Sequence, residues 1–232
     1  MTADRLALAK GYPYRIPTAS FVYVDGRAVP YDGLDRLDRL GRIPVIGYGS
    51  NRSPEQLARK FAGWPEGTVV PVTLARLADH DIVYGAQFTA YGAVPAVLAR
   101  RPGTAVTVSV TWLTEAQLTR MHATEGAANY RFARLDGIAL EAEGVGRVES
   151  AFAYLGRRGA LAGPDGPIAL AAVAAENRAG PAEDQEAVLA RARDRLAPDA
   201  ALDPFILQNV SCPVTRRQRT ERLTGDAVPT GR

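Results

Sequence analysis

The chain has 232 residues, of which 47% are hydrophobic and 23% are charged, and its formal net charge is +3. Acidic residues are interspersed almost everywhere, so the sequence excludes a large field of one sign ahead of the C-terminal tail. The single cysteine, Cys212, excludes an intramolecular disulfide and fits a reducing compartment.

The N-terminus carries no recognisable targeting signal. Its first ten residues lack the apolar core of a signal peptide. The longest apolar run, 168–175, is too short to span a membrane. We therefore expect a cytoplasmic protein with no membrane partner.

Residues 1–42 are interpreted as an N-terminal extension. Phe21–Val24 predicts a short strand, followed by a turn at Asp25-Gly26. Leucines at three-residue spacing then predict a short amphipathic helix that ends at Gly41; they are Leu34, Leu37 and Leu40.

The next segment combines a strand, a glycine turn and a helix start. An apolar run from Ile43 to Tyr48 leads into Gly49-Ser50-Asn51, and Ser53 with Pro54 and Gln56 matches a capping box. Such a turn directs backbone N–H groups into a small space that favours an anion or an oxyanion. On geometry alone, a strand-to-helix turn that binds nothing explains the segment better.

The middle of the chain, 43–157, predicts a mixed α/β domain. From Thr104 to Trp112 apolar and polar residues alternate, which predicts a half-buried strand. Thr114 and Gln117 match a second capping box, whose helix is expected to end near Gly126. Further strands are expected at 68–77, 80–86, 135–141 and 147–155, with a turn at 101–103.

The C-terminal third predicts two parts. Residues 158–212 are interpreted as a helical extension that packs on the domain, with helices at 167–177 and 183–196 and a packed segment at 202–210. Residues 213–232 are arginine-rich and poor in apolar residues. They predict a mobile basic tail that is dispensable for folding.

Glu125 is the candidate general acid/base. It lies at the end of a short helix, where the helix dipole disfavours a carboxylate. Such a glutamate either points into water or is positioned for use as a base. The two histidines, His80 and His122, are too isolated for a metal site, and no Cys/His cluster exists. We expect no metal and no cofactor.

Taken together, two motifs resemble the gamma-glutamylcyclotransferase-like family. They are Tyr48-Gly49-Ser50-Asn51 after a strand, and Glu125-Gly126 followed by Tyr130-Arg131. The resemblance covers residues 43–157. It implies an α+β fold built on a small mixed α/β barrel with a central cavity, here carrying N-terminal and helical C-terminal extensions.

The resemblance also implies residue roles. Glu125 matches the family's catalytic acid/base; Tyr48, Gly49, Ser50 and Asn51 match its substrate-binding loop, and Tyr130 matches a tyrosine near its cavity. The chain has Met121-His122 where family members usually have Leu-Asp. It also has Arg52 where they have an apolar residue. Arg52 is either a guanidinium at the cavity rim that meets a substrate carboxylate, or an exposed arginine at a helix start.

The function implied is conversion of a gamma-glutamyl compound to 5-oxoproline and a free amine or amino acid. The alternative is a non-catalytic small-molecule-binding protein that retains the same cavity. A nucleic-acid-associated protein is disfavoured because the basic tail lacks interleaved aromatic residues and contains Glu221 and Asp226. We therefore expect a small-molecule gamma-glutamyl substrate and no nucleic-acid partner. The sequence does not indicate an oligomeric state.

Overall fold

A closed barrel of five strands forms the centre of the molecule. The computed structural model describes residues 2–31, 41–65, 67–125 and 129–231. The barrel strands are β3 (Ile43–Gly47), β4 (Val69–Tyr84), β5 (Ala96–Leu113), β6 (Tyr130–Ala142) and β7 (Gly146–Gly156). They pair in the order β5-β3-β7-β6-β4, and β4 pairs again with β5 to close the ring. The prediction of an α+β fold around a small mixed barrel is therefore confirmed.

The barrel is antiparallel except at one position. β3 runs parallel to β7, with Val45 opposite Phe152, whereas the other barrel pairs are antiparallel. The strand predicted from the alternation in β5 is confirmed, but it is not half-buried, because Ser109 and Thr111 on its polar face are buried as well. Val106, Val108 and Val110 lie fully buried in the main core cluster. Their β-branched side chains pack well on a pleated surface that is covered on that side.

Two helices flank the strands that position the candidate site. A 3₁₀ turn (Ser50–Arg52) follows β3 and leads into α2 (Pro54–Lys60), while α3 (Glu115–Thr124) follows β5. The capping box predicted at Thr114 and Gln117 is confirmed. The box predicted at Ser53 is wrong, because the Ser53 hydroxyl donates to the Glu55 carboxylate and caps no backbone N–H.

The N-terminal residues add to the barrel sheet. Helix α1 (Thr2–Lys10) precedes a hairpin of β1 (Phe21–Val24) and β2 (Arg27–Pro30), and β1 pairs antiparallel with β4. The strand and turn predicted there are confirmed. The helix predicted from Leu34, Leu37 and Leu40 lies outside the described residues. Gly126, near which α3 is predicted to end, also lies outside them.

The turn predicted at 101–103 does not reverse the chain. These residues form a bulge inside β5, where the register with β4 shifts between Ala78 and His80. Asp79 has a positive φ of 58° and its carboxylate accepts from the Gly103 N–H at 2.8 Å. The two strands predicted at 68–77 and 80–86 form one continuous strand, β4, because the chain between them makes a bulge and not a turn.

The helix predicted at 167–177 is wrong. The segment contains the short strands β9 (Gly166–Pro167), β10 (Ala169–Leu170) and β11 (Ala175–Glu176), after β8 (Ala162–Gly163) and before β12 (Ala182–Glu183). β10 pairs with β4 and β12, and β11 pairs with β5. Strands β4 and β5 of the barrel sheet form hydrogen bonds with the backbone of this segment. This pairing between distant segments overrides the helical preference of its alanines.

The predicted helix at 183–196 is confirmed as α4 (Gln185–Leu196), capped by Asp184, and the packed segment as α5 (Leu202–Ser211). The mobile tail is wrong for most of its length, because Pro213–Gly225 form helix α6. Leu223 is 1% exposed within the main core cluster and Arg219 is buried against α5. None of the helices in the described ranges is long and apolar enough to cross a membrane.

Candidate active site

The loop after β3 leaves backbone donors unused. Gly49 packs so closely against Tyr12 that an added Cβ would lie 2.5 Å from the Tyr12 hydroxyl. The 3₁₀ turn uses the N–H groups of Arg52 and Ser53, which donate to Gly49 and Ser50. The N–H groups of Gly49, Ser50 and Asn51 donate to no acceptor among the described residues. The segment therefore offers three donors to a ligand.

These donors border a cavity of about 180 Å³ at one end of the barrel. The walls come from distant parts of the chain: the N-terminal extension, the β3 loop, α2, the start of β5, the end of α3, and strands β6 and β7. The lining residues are Tyr12, Ile46, Tyr48, Gly49, Ser50, Asn51, Gln56, Lys60, Thr89, Tyr91, Pro95, Ala96, Thr124, Glu125, Tyr130 and Tyr154. Every sequence-predicted site residue except Arg52 is among them.

Glu125 follows directly on α3 and its carboxylate is fixed through one oxygen. Oε1 accepts from Asn51 Nδ2 at 2.8 Å and from Lys60 Nζ at 2.6 Å. Oε2 accepts no hydrogen bond from the described residues. The Glu125 side chain is 14% exposed. The structure thus joins the Glu125 segment to the β3 loop through Asn51.

Within the part of the lining that the structure describes, Lys60 and Glu125 are the only charged residues. They form an ion pair, so the lining carries no net charge. A carboxylate at the end of a helix is disfavoured by the dipole of that helix, and the Lys60 ammonium offsets this effect.

The tyrosines of the lining remain neutral phenols. Burial is the main cause that raises the pKa of Tyr48 and of Tyr130 well above the usual value of a phenol. The charge of nearby Glu125 is one of the smaller causes that raise both pKa values further. The pKa of Tyr154 is raised by burial first and by Glu125 second. Tyr48 donates to the Tyr154 carbonyl oxygen, and the Tyr154 hydroxyl hydrogen-bonds to His122 Nδ1 at 2.8 Å. Neutral phenols supply hydrogen bonds without adding charge.

Arg52 does not line this cavity. Its side chain is only 2% exposed, and its Nε donates to Ser109 Oγ at 3.3 Å. Burial lowers the pKa of Arg52 to about 10. Because the side chain turns into the protein beneath the loop, neither the cavity-rim position nor the exposed position expected for Arg52 agrees with the structure. It is no longer a candidate for substrate contact.

Sequence reasoning missed Tyr12 and Lys60. Tyr12 belongs to the N-terminal extension, and its hydroxyl accepts from the Ala96 N–H at 2.8 Å. Nothing local to either residue signals a cavity, because each reaches it through contacts with segments distant in sequence. The one available signal is compositional: Lys60 is one of only two lysines among 28 basic residues.

The remaining chemistry-bearing residues lie elsewhere. Within the described ranges, no group of three or more His, Cys, Asp or Glu residues could hold a metal ion. Cys212 precedes α6 and takes a hydrogen bond from Thr215 Oγ1 at 3.2 Å, and it is not among the residues that line the cavity. His122 is not a lining residue, and its ring hydrogen-bonds to Tyr154, which is one.

The comparisons with known proteins add a distant likeness. No family model matches the chain, and no curated protein matches it. Among solved structures, the chain is similar to a protein described as "Gamma-glutamyl cyclotransferase". The two are 12% identical over 81% of this chain and 89% of the other, with a TM-score of 0.41. A likeness at that level assigns no residue and no activity to this chain.

Proposed function

We propose that the protein is a cyclotransferase that converts a gamma-glutamyl compound to 5-oxoproline and a free amine or amino acid. Glu125 serves as the general acid/base, and Tyr48, Gly49, Ser50 and Asn51 hold the substrate, with Tyr130 forming part of the wall. The observation that carries the proposal is the Glu125 carboxylate in a small cavity, held through Oε1 and open at Oε2.

The chemistry needs a base and an acid at the same place. In a gamma-glutamyl compound the α-amino group and the γ-carbonyl belong to one molecule, so closure of a five-membered ring has a proximity advantage. A carboxylate with one free oxygen can take a proton from the α-ammonium and return it later. Acid/base catalysis of this kind contributes roughly 10²–10⁴-fold to a rate.

The loop supplies the second requirement, which is stabilisation of negative charge. The free N–H groups at Gly49, Ser50 and Asn51 border the cavity that also contains Glu125. In the proposed reaction they bind the substrate carboxylate or the oxyanion that forms on the γ-carbonyl oxygen. Each well-placed oxyanion donor is worth about 3 kcal/mol of transition-state stabilisation.

The proton steps balance with one carboxylate. Glu125 takes one proton from the α-ammonium, and the amine attacks the γ-carbonyl carbon to form the ring carbon–nitrogen bond. That proton then passes to the departing nitrogen as the original amide bond breaks. The ring nitrogen gives its extra proton to the regenerated carboxylate, which transfers it to the amine product.

A direct assay tests this proposal. Purified protein is incubated with glutathione, a set of gamma-glutamyl dipeptides and several gamma-glutamylamines, and 5-oxoproline is quantified by chromatography. The proposal predicts release of 5-oxoproline from at least one class, in equal amount to the free amine. Binding of these compounds without any turnover supports the non-catalytic alternative and contradicts the proposal.

A further inference from the structure

Lys60 is a buried cation whose ammonium has protein partners on the wall of the cavity. The side chain is 4% exposed, and Nζ donates to Glu125 Oε1 at 2.6 Å and to Thr124 Oγ1 at 3.0 Å. The Thr124 hydroxyl itself donates to the Met121 carbonyl oxygen at 2.8 Å. A buried lysine is rare because an ammonium loses much hydration energy in the interior. Its burial here is offset by a carboxylate at close range.

The fold holds Lys60 against the end of α3. Lys60 is the last residue of α2, where a cation is favoured by the helix dipole. Arg120 of α3 donates from Nε to the Lys60 carbonyl oxygen at 2.7 Å and from Nη2 to that of Ala62 at 3.3 Å. Arg120 thereby holds the C-terminus of α2 against α3, the helix that leads into Glu125. These two hydrogen bonds from the Arg120 side chain help to set the distance between Lys60 and Glu125.

The choice of lysine is itself informative. The chain has 28 basic residues and only Lys10 and Lys60 are lysines, so the other 26 are arginines. Lys10 is a more exposed residue that pairs with Glu186 and Asp203. A guanidinium is longer and presents five N–H donors in a plane, whereas an ammonium is compact. A space with two acceptors and little solvent access suits the ammonium.

We propose that Lys60 is a positioning residue for Glu125, and that the site requires a compact ammonium and rejects a guanidinium. This inference rests on the proposed function, since Glu125 is the acid/base there. Lys60 and Asn51 together occupy Oε1, so the carboxylate has one orientation and Oε2 is the oxygen that meets the substrate. Without Lys60 the carboxylate rotates, and the proton transfer loses its alignment.

The expected kinetic effect falls on turnover. Misplacement of a catalytic group by about 1 Å costs on the order of 100-fold in rate. K60A and K60M should therefore lower kcat by about that factor while KM changes little, because Lys60 binds Glu125 and not the substrate. K60R retains the positive charge, but its kcat should nevertheless stay well below that of wild type.

Chemical rescue separates positioning from folding. K60A removes three methylenes and an ammonium, the same groups that propylammonium carries. Added propylammonium should restore part of the K60A turnover, whereas 1-propanol and propylguanidinium should not. The double variant K60A/E125Q should show no rescue, and calorimetry should detect propylammonium binding to K60A but not to the double variant.

The outcomes are distinct. If wild type releases 5-oxoproline and K60A has the same kcat, the role of Lys60 is overturned while the proposed function stands. Rescue by propylguanidinium as good as that by propylammonium overturns the requirement for a compact ammonium. If wild type turns over no gamma-glutamyl compound, the proposed function fails and the catalytic role of Lys60 fails with it. Calorimetry then still decides whether the space beside Glu125 selects an ammonium.

Discussion

The cavity and the C-terminal helices use their polar groups in opposite ways. Around the cavity, Glu125 Oε2 and the N–H groups of Gly49, Ser50 and Asn51 have no acceptor or donor among the described residues. In α6, by contrast, three of the four guanidiniums are bonded to protein, namely those of Arg216, Arg219 and Arg222. Arg219 donates to Asn209 Oδ1 at 2.7 Å and to Gln208 Oε1 at 2.6 Å, and it stacks on Phe205 at 4.2 Å.

Other side chains of α6 act in the same way. Arg216 donates to the Asn209 carbonyl oxygen, Arg222 to that of Leu196, and Thr224 to that of Ala86. The basic composition that suggested a mobile tail is thus explained by interhelical hydrogen bonds. A polar group without a protein partner is therefore a candidate for function where it borders a cavity, whereas a polar group that is bonded to protein supports the fold.

Substitution in the C-terminal layer should have the largest effect on stability. R219M retains the packing on Phe205 but leaves the buried Asn209 Oδ1 and the exposed Gln208 Oε1 without this donor. We expect it to lower the free energy of unfolding by about 1–3 kcal/mol, because a buried unsatisfied group costs about that much. Urea denaturation measures this, and turnover per folded molecule should be unchanged.

The matched control is R217M, on the same helix but exposed. It should change the free energy of unfolding by no more than about 0.5 kcal/mol. If R219M is as stable as R217M, then α6 is held by its apolar contacts alone and the contrast between the two regions is incorrect.

Tyr12 belongs to the cavity lining, but its hydroxyl is bonded to protein, as most of the α6 guanidiniums are. The hydroxyl accepts from the Ala96 N–H. Y12F removes that acceptor and should lower the free energy of unfolding by about 1 kcal/mol. It should also lower kcat/KM for the accepted substrate, unlike R219M. Normal kinetics in Y12F would show that the N-terminal extension supports the barrel without shaping the cavity.

Local signals in the sequence predicted the elements whose stabilising contacts are local. The Thr114–Gln117 capping box and the alternating valines of β5 each appear in the structure as expected. Contacts between distant segments determine the features that the sequence did not predict. Ala169 and Ala175 lie in strands because β4 and β5 pair with them, and Arg52 is buried because it turns beneath its own loop.

The same limit applies to the cavity. Its β3 loop and Glu125 were recognisable as motifs, and both line it. Lys60 and Tyr12 enter through helix packing and through the N-terminal extension, which no short motif encodes. The domain boundaries at 42, 157 and 212 remain a prediction, although β1 pairs with the barrel strand β4 across the first of them.

Substitution of His80, which belongs to neither region, should have the smallest effect on the free energy of unfolding. Burial lowers its pKa below 6.5, with the Ala78 carbonyl and Asp79 opposing and Arg100 adding to the shift. The unfolded chain therefore binds a proton near pH 6.5 that the folded chain does not. Stability should fall as the pH drops below about 6.5. H80Q should weaken this dependence in urea denaturation at pH 7.5 and 5.5; identical slopes would contradict the assignment.

The most direct test is the turnover of E125Q measured beside that of E115Q, an exposed glutamate at the start of the helix that leads into Glu125. Glutamine retains the shape of the side chain and can still hydrogen-bond, but it cannot accept the proton. We predict that E125Q lowers kcat for 5-oxoproline release by roughly 10²-fold or more, while KM and the melting temperature stay close to those of E115Q. An E125Q variant with near-normal turnover would contradict the central claim that Glu125 is the acid/base of this cavity.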